Sequence, residues 1–354
     1  MQLEFWEQQL PFEYPFTISN GRTKTHQHSL MVKLSLGNWE GYGEAPAIVY
    51  YNVTVEGMKE QLEKHRKVIE KFALIDPERF WHFLHHLFPN HPFLVCALDM
   101  AGWDLWGQMK KQPLHQLWNT TWLTDASDSQ SLPPICDYTL GIDPIEKMVE
   151  KMQAHPWPIY KVKVGTDYDL EMITALRKHT DKPIRVDANA GWTTEEALLK
   201  IPALAALGVE LVEQPLAKEN WEGMAQLKKQ SILPLFADES CVFEKDVATC
   251  ANYFHGINIK LTKCSGLTPA LRMIKEARTL GLKVMMGSMN ESVIGSAAIA
   301  QFLPQLDYVD MDGPLLMTEL NGVGLDFSFD HSNGKIAPLH RPGLGVQYRN
   351  PFVK

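Results

Sequence analysis

The sequence repeats one device: a short apolar run that ends in a charged residue, followed by a stretch with helical spacing. Lys163, Asp187, Glu213, Asp238 and Lys260 close five such runs in succession, at intervals of 24, 26, 25 and 22 residues. An interval of that size holds one strand, one crossover helix and two loops, and parallel neighbours require such a crossover. The pattern continues on both sides. Residues 135–140, 159–164, 184–187, 211–213, 235–237, 256–259, 283–286 and 308–311 read as eight strands of an α/β protein. Eight near-regular repeats fit a (β/α)8-type barrel better than a doubly wound sheet, and no G-x-G-x-x-G follows any strand. Barrel enzymes carry their chemistry at the carboxyl ends of their strands, where all five charges fall.

The first third has another texture. Residues 1–45 alternate in short apolar runs such as Leu3-Glu4-Phe5-Trp6 and Leu30-Met31-Val32-Lys33-Leu34, broken at Ser19-Asn20-Gly21 and Gly37-Asn38, which predicts an antiparallel meander. Between Val55 and Gly107 apolar residues such as Leu62, Ile69, Phe80, Leu84 and Leu98 recur at helical spacing. Residues 120–134, rich in Thr, Ser, Asp and Pro, read as a linker. The expected division is an α+β domain over 1–125, a barrel over 126–320, and a segment over 321–354 that leaves the barrel and packs back on the first domain. A chain of 354 residues, 45% apolar and 21% charged, suits two soluble domains and excludes a disordered chain. Its 34 basic against 42 acidic residues argue against nucleic acid or a membrane surface as partner. The N-terminus lacks the basic and apolar regions of a signal peptide, no window of 18 residues is uniformly apolar, and the five cysteines include no C-x-x-C pair. Reduced thiols in a cytoplasmic protein are expected.

Asp187, Glu213 and Asp238 should converge from three adjacent strands. Hard oxygen donors without imidazole or thiolate suit Mg2+, one ion per subunit. Any one of these carboxylates alone reads as a helix cap or loop charge; in register with lysine-bearing strands the metal site is the better reading. Lys163 and Lys260 lie on the second and sixth strands, nearly opposite in a ring of eight, and Lys161 shares the inward face of Lys163. Crowding ammonium groups beside a metal is expected to lower a lysine pKa from about 10.4 toward the range of about 7–8 that a general base needs. A C–H next to a carboxylate is too weakly acidic for an amine alone. A metal chelating that carboxylate can take up the second negative charge of an enediolate. With one lysine on each face, removal by one and return by the other inverts the carbon, a 1,1-proton transfer. A Schiff-base aldolase also uses inward lysines but does not need three metal carboxylates, and a non-catalytic metal binder would not need the lysines. His82, His85 and His86 have helical i, i+3, i+4 spacing without a fourth ligand in register, and read as a helix surface.

On these residues the chain resembles the enolase superfamily in its muconate-lactonising subgroup. The resemblance spans Gly41-Tyr42-Gly43-Glu44-Ala45, Lys161-x-Lys163, Asp187-Ala188-Asn189, Glu213-Gln214-Pro215, Asp238-Glu239-Ser240, the 258–263 stretch ending in Lys263, and Pro342-Gly343-Leu344-Gly345. It implies a modified TIM barrel, (β/α)7β, with an N-terminal α+β capping domain that sets specificity. Asp310-x-Asp312 on the last strand looks like the pair that receives the α-ammonium in dipeptide epimerases, and an ionised pair accepts charge-assisted hydrogen bonds from such a group. The resemblance implies a small-molecule dipeptide substrate of the L-Ala-D/L-Glu or a related type, inverted at its C-terminal residue. Lys161 would neutralise the substrate carboxylate, and a basic residue of the loop after the first strand, which carries Arg22 and Lys24, would hold a glutamate side chain. Cys136 takes a substrate-side position where Thr is expected in the alanyl-glutamate enzymes. N-acylamino acid racemase, o-succinylbenzoate synthase and muconate cycloisomerase activities of the same subgroup remain as alternatives, and a homo-oligomer is left open.

Overall fold

The computed structural model describes residues 1–17, 23–121, 134–318, 322–323, 325–326, 336–338 and 340–348. Three antiparallel strands, β1 (Gln2–Thr17), β2 (Thr23–Leu36) and β3 (Trp39–Pro46), open the chain in the order β1-β2-β3. Alternate residues of this sheet are buried on opposite sides. Leu3, Leu30, Val32 and Leu34 join the core of the N-terminal region, whereas Leu10, Phe12 and Met31 join the core of the barrel. Both faces being covered explains the apolar runs that broke strict alternation in the sequence.

Four helices follow: α1 (Val55–Glu70), α2 (Pro77–Leu87), α3 (Pro92–Lys110) and α4 (Leu114–Thr121). Thr54 caps α1 by accepting the Gly57 N–H at 3.1 Å, and Asp76 caps α2 by accepting the Arg79 N–H at 3.0 Å, with Pro77 in the first turn. Helix α3 is buried on all sides, from Phe93 to Leu105 without a break. One side meets β3, where Gly41 and Gly43 let the backbones touch: a Cβ at Gly43 would run into the Ala97 carbonyl. The other side meets the barrel. Asp99 accepts from the Thr268 N–H at 3.0 Å and its hydroxyl at 2.8 Å, and the Trp103 indole donates to the same hydroxyl at 2.9 Å.

The barrel begins with β4 (Tyr138–Leu140) and runs through α5 (Ile145–Ala154), β5 (Tyr160–Lys163), α6 (Asp169–Arg177), β6 (Ile184–Asp187), α7 (Thr194–Ala206) and β7 (Val209–Glu213). It continues with α8 (Trp221–Gln230), β8 (Leu235–Ala237), α9 (Val247–Tyr253), β9 (Gly256–Ile259), α10 (Leu261–Cys264), α11 (Leu267–Thr279), β10 (Lys283–Gly287), α12 (Val293–Ala300) and β11 (Tyr308–Asp310). The eight strands are parallel in chain order, β4 to β11. A parallel bridge between Cys136 and Val309 joins the two ends. A 3-10 turn, Gly313–Leu315, follows the last strand, and among the described residues no eighth crossover helix does, so the architecture is (β/α)7β.

Beyond the barrel the chain touches the N-terminal region at several points. Thr318 N–H donates to Pro11 O at 3.0 Å, Leu344 N–H donates to Asp104 at 2.8 Å, and Gln108 donates to Pro342 O at 3.0 Å. Gly343 has φ 67°, and any Cβ there would strike the Asp104 carboxylate, so the position requires glycine. Most of the expected linker, residues 122–133, lies outside the described residues. All five cysteines are buried and unpaired. Among the described residues no helix is long and apolar enough to cross a membrane.

Candidate active site

Parallel register places the acidic ladder. Lys163 on β5 pairs with Asp187 on β6, which pairs with Glu213 on β7, and Asp238 follows the end of β8. Asp187, Glu213 and Asp238 are all buried, and one oxygen from each lies within 4.8 Å of the others. The turns that carry them are held by neighbours. Asn189 N–H donates to Asp187 Oδ1 at 3.0 Å, from a turn in which Asn189 and Ala190 adopt left-handed φ of 43° and 61°. Gln214, also left-handed at φ 35°, accepts the backbone N–H groups of Asp238 at 3.0 Å and Ser240 at 3.1 Å. Asn258 Nδ2 donates to Glu213 Oε1 at 2.6 Å, and Lys263 donates to the Asp238 carboxylate and to its carbonyl oxygen. Non-glycine residues in this conformation concentrate where a structure over-determines a functional geometry. Three oxygen donors with no sulfur or imidazole among them fit Mg2+.

The lysines enter from two sides. Lys163 Nζ donates to Asp187 Oδ2 at 2.6 Å, and Lys260 Nζ donates to Asp238 Oδ2 at 2.9 Å. Lys161 lies lower, 1% exposed, with Asp310 and Glu213 each at 2.7 Å and Asp187 at 3.3 Å. Burial drives Lys161 and Lys260 toward the neutral form, but the carboxylates outweigh it. Asp310 and Glu213 hold Lys161 well above the ordinary lysine value, and Asp238 and Glu213 hold Lys260 above it. Lys161 lowers Lys260, as a neighbouring ammonium should, and the carboxylates around it outweigh this effect. Burial alone would raise Asp187, yet Lys163 and Lys161 bring it down to about 2.

Asp310 ends β11 and Asp312 begins the turn after it. Asp312 Oδ2 accepts the Thr139 N–H from β4 at 2.6 Å, and burial together with Asp310 pushes this carboxyl up to about 7. Both acids line a cavity of about 450 Å3 together with Lys163, Lys260 and Asp238. A cavity of this size suits a small molecule. Cys136 does not line it: its thiol is buried at the barrel seam, donates to Asp137 O at 3.2 Å and accepts the Met311 N–H at 3.4 Å. Thr139, three residues further on in β4, is a lining residue. Arg22 lies outside the described residues. His82, His85 and His86 sit on α2 with His85 stacked on Trp81, and among the described residues only the acidic trio is grouped for a metal.

Several lining residues carry no role in the sequence reading. Asn189 donates to Glu239 at 3.3 Å, and both side chains keep a buried oxygen without a hydrogen-bond partner. Their signal was present in the Asp-x-Asn and Asp-Glu-Ser runs that carry Asp187 and Asp238. Tyr50 and Tyr51 reach the cavity from the N-terminal region, where no sequence periodicity marks them.

The family model described as enolase C-terminal domain-like matches residues 145–351. An L-Ala-D/L-amino acid epimerase from Flavobacterium johnsoniae is 47% identical over 98% of this chain and 99% of its own length. One of the same description from Maribacter sp. is 46% identical over 91% of this chain and 94% of its own length. The structure of a dipeptide epimerase from Enterococcus faecalis, complexed with Mg and the dipeptide L-Leu-L-Tyr, superposes with a TM-score of 0.88 at 28% identity, covering 98% of this chain and 99% of the other. The chain belongs to the enolase C-terminal domain-like family.

Proposed function

We propose that the chain is an isomerase that epimerises dipeptides at the α-carbon of the C-terminal residue. The observation that carries this reading is one cavity lined by Lys163, Lys260, the acidic pair Asp310 and Asp312, and Asp238 of a carboxylate trio grouped closely enough to hold a cation. The names of the relatives support it. Asp187, Glu213 and Asp238 would hold Mg2+, which when bound supplies positive charge beside the substrate carboxylate and so makes the neighbouring C–H easier to ionise.

The chain's own residues then divide the work. Asp310 and Asp312 accept hydrogen bonds from the substrate ammonium and set which end of the dipeptide faces which wall. Lys163 Nζ takes the α-proton from one face, and Lys260 Nζ returns a proton to the other; in the reverse direction they exchange roles. Lys161, pinned by three carboxylates, keeps its charge and sits below the reacting carbon as fixed positive charge. The acidic pair is the observation that favours a dipeptide over the N-acylated and cyclic substrates, which bring no ammonium to it. A screen of dipeptides in deuterium oxide tests this reading, because a dipeptide that has been epimerised carries one deuterium and is one mass unit heavier. Incorporation into dipeptides is expected; incorporation into N-acylamino acids but no dipeptide would contradict it.

A further inference from the structure

One carboxylate of the N-terminal sheet is bonded across the joint to the barrel. Glu44 on β3 is fully buried. Its Oε1 accepts the Ser292 N–H at 3.0 Å, and its Oε2 accepts the Gly295 N–H at 3.1 Å and the Ser292 hydroxyl. Both N–H groups belong to the start of α12, where a helix leaves donors unpaired and favours a negative charge. Burial raises the Glu44 carboxyl above its ordinary value, and the donors of Ser292 and Gly295 oppose the rise. A residue without a carboxylate at this position would leave buried N–H groups of α12 unmatched.

The turn held in this way is the cavity wall beside Lys260. Met286 pairs with Ile259 in the parallel register of β10 and β9, so the chain leaving β10 rises next to Lys260, which follows β9. Ser288, Met289 and Asn290 on that stretch line the cavity together with Lys260. Lys163 stands on β5, which no strand pairing joins to β10. The stretch is closely specified: Asn290 is left-handed at φ 63°, and Glu291 is buried with its carboxyl accepting the Met289 N–H. A non-glycine residue persists in that conformation where its surroundings hold it. Burial and Glu44 push the Glu291 carboxyl up to about 8, so at neutral pH it keeps its proton and lies beside Glu44 without repelling it.

We infer that Glu44 is a positioning residue for the Lys260 half of the active site, acting from the N-terminal region through the 288–292 turn on the wall beside which Lys260 meets the substrate. This rests on the epimerase reading above. The test measures initial α-proton exchange in deuterium oxide, with the full chain and Mg2+, for each epimer of the dipeptide that exchanges fastest in the screen above. Lys260→Ala identifies the epimer served from this side. Glu44→Gln keeps the size and removes the charge. It should slow exchange from that epimer about 10-fold or more, within the roughly 100-fold that a displacement of about 1 Å can cost, and slow the other epimer less than about 3-fold. Ser292→Ala removes only the hydroxyl donor to Glu44 and should show the same bias at smaller size, which decides the matter if Glu44→Gln does not fold. Mg2+ binding by titration calorimetry should be unchanged in both variants. Equal slowing of the two epimers would overturn the inference, leaving Glu44 a support for the fold and the epimerase reading intact, and so would rates unmoved in both variants. Exchange with no dipeptide at all would overturn the epimerase reading and this inference with it.

Discussion

The floor and the roof of the cavity are built on opposite terms. The floor is made by strand ends of the barrel, and almost every charged group there is bonded to another: Lys161 to three carboxylates, Lys163 to Asp187, Lys260 and Lys263 to Asp238. The roof is one turn of the N-terminal region with two exposed apolar side chains over the mouth. A network whose members satisfy one another tolerates little change, because removing one leaves another buried and unpaired. An apolar turn tolerates a great deal, since each side chain there contributes area and no obligatory partner.

The largest effect should come from breaking the floor. Asp187→Asn or Glu213→Gln should lower kcat by about 10³-fold or more, and titration calorimetry should show Mg2+ binding lost in parallel. Retained metal affinity with lost activity would place these carboxylates elsewhere in the mechanism. The joint between the two regions comes next. Gly43→Ala drives a Cβ into the Ala97 carbonyl, and should cost about 3 kcal/mol in denaturant unfolding as an overpacked contact against backbone. At the end of the floor, Asp312→Asn should reduce kcat/KM for dipeptides about 10- to 100-fold, chiefly through KM, as expected for one charged hydrogen bond. The same variant should narrow the preference for a free amino terminus over an N-acetylated one. The smallest effect belongs to the outer shell: Thr193 and Glu196 form a reciprocal cap on α7, and Thr193→Ala should cost about 1 kcal/mol of stability without altering the ratio between substrates.

The same contrast governs what could be read from the sequence. The floor was legible because parallel strands carry their ends at a fixed interval: the runs expected at 184–187, 235–237 and 256–259 coincide with β6, β8 and β9. Their register then brings Asp187, Glu213 and Asp238 together. The roof was not legible, because Tyr50 and Tyr51 reach the site through tertiary packing of a turn that has no periodicity of its own. Helix α3 shows an intermediate case. Its helical spacing was visible, but burial on every side follows from being held between a sheet and a barrel, which no single segment reports. Cys136 shows the converse: its place in the sequence suggested a substrate contact, while the closing of the ring puts its thiol at the seam.

The central claim is that two lysines act on opposite faces of one carbon, and α-proton exchange in deuterium oxide measures this directly for each epimer separately. Lys163→Ala should abolish exchange from one epimer and leave it in the other, Lys260→Ala should do the reverse, and both variants should lose epimerisation. Exchange that survives undiminished in the double variant, or that is lost from the same epimer in both single variants, would contradict it.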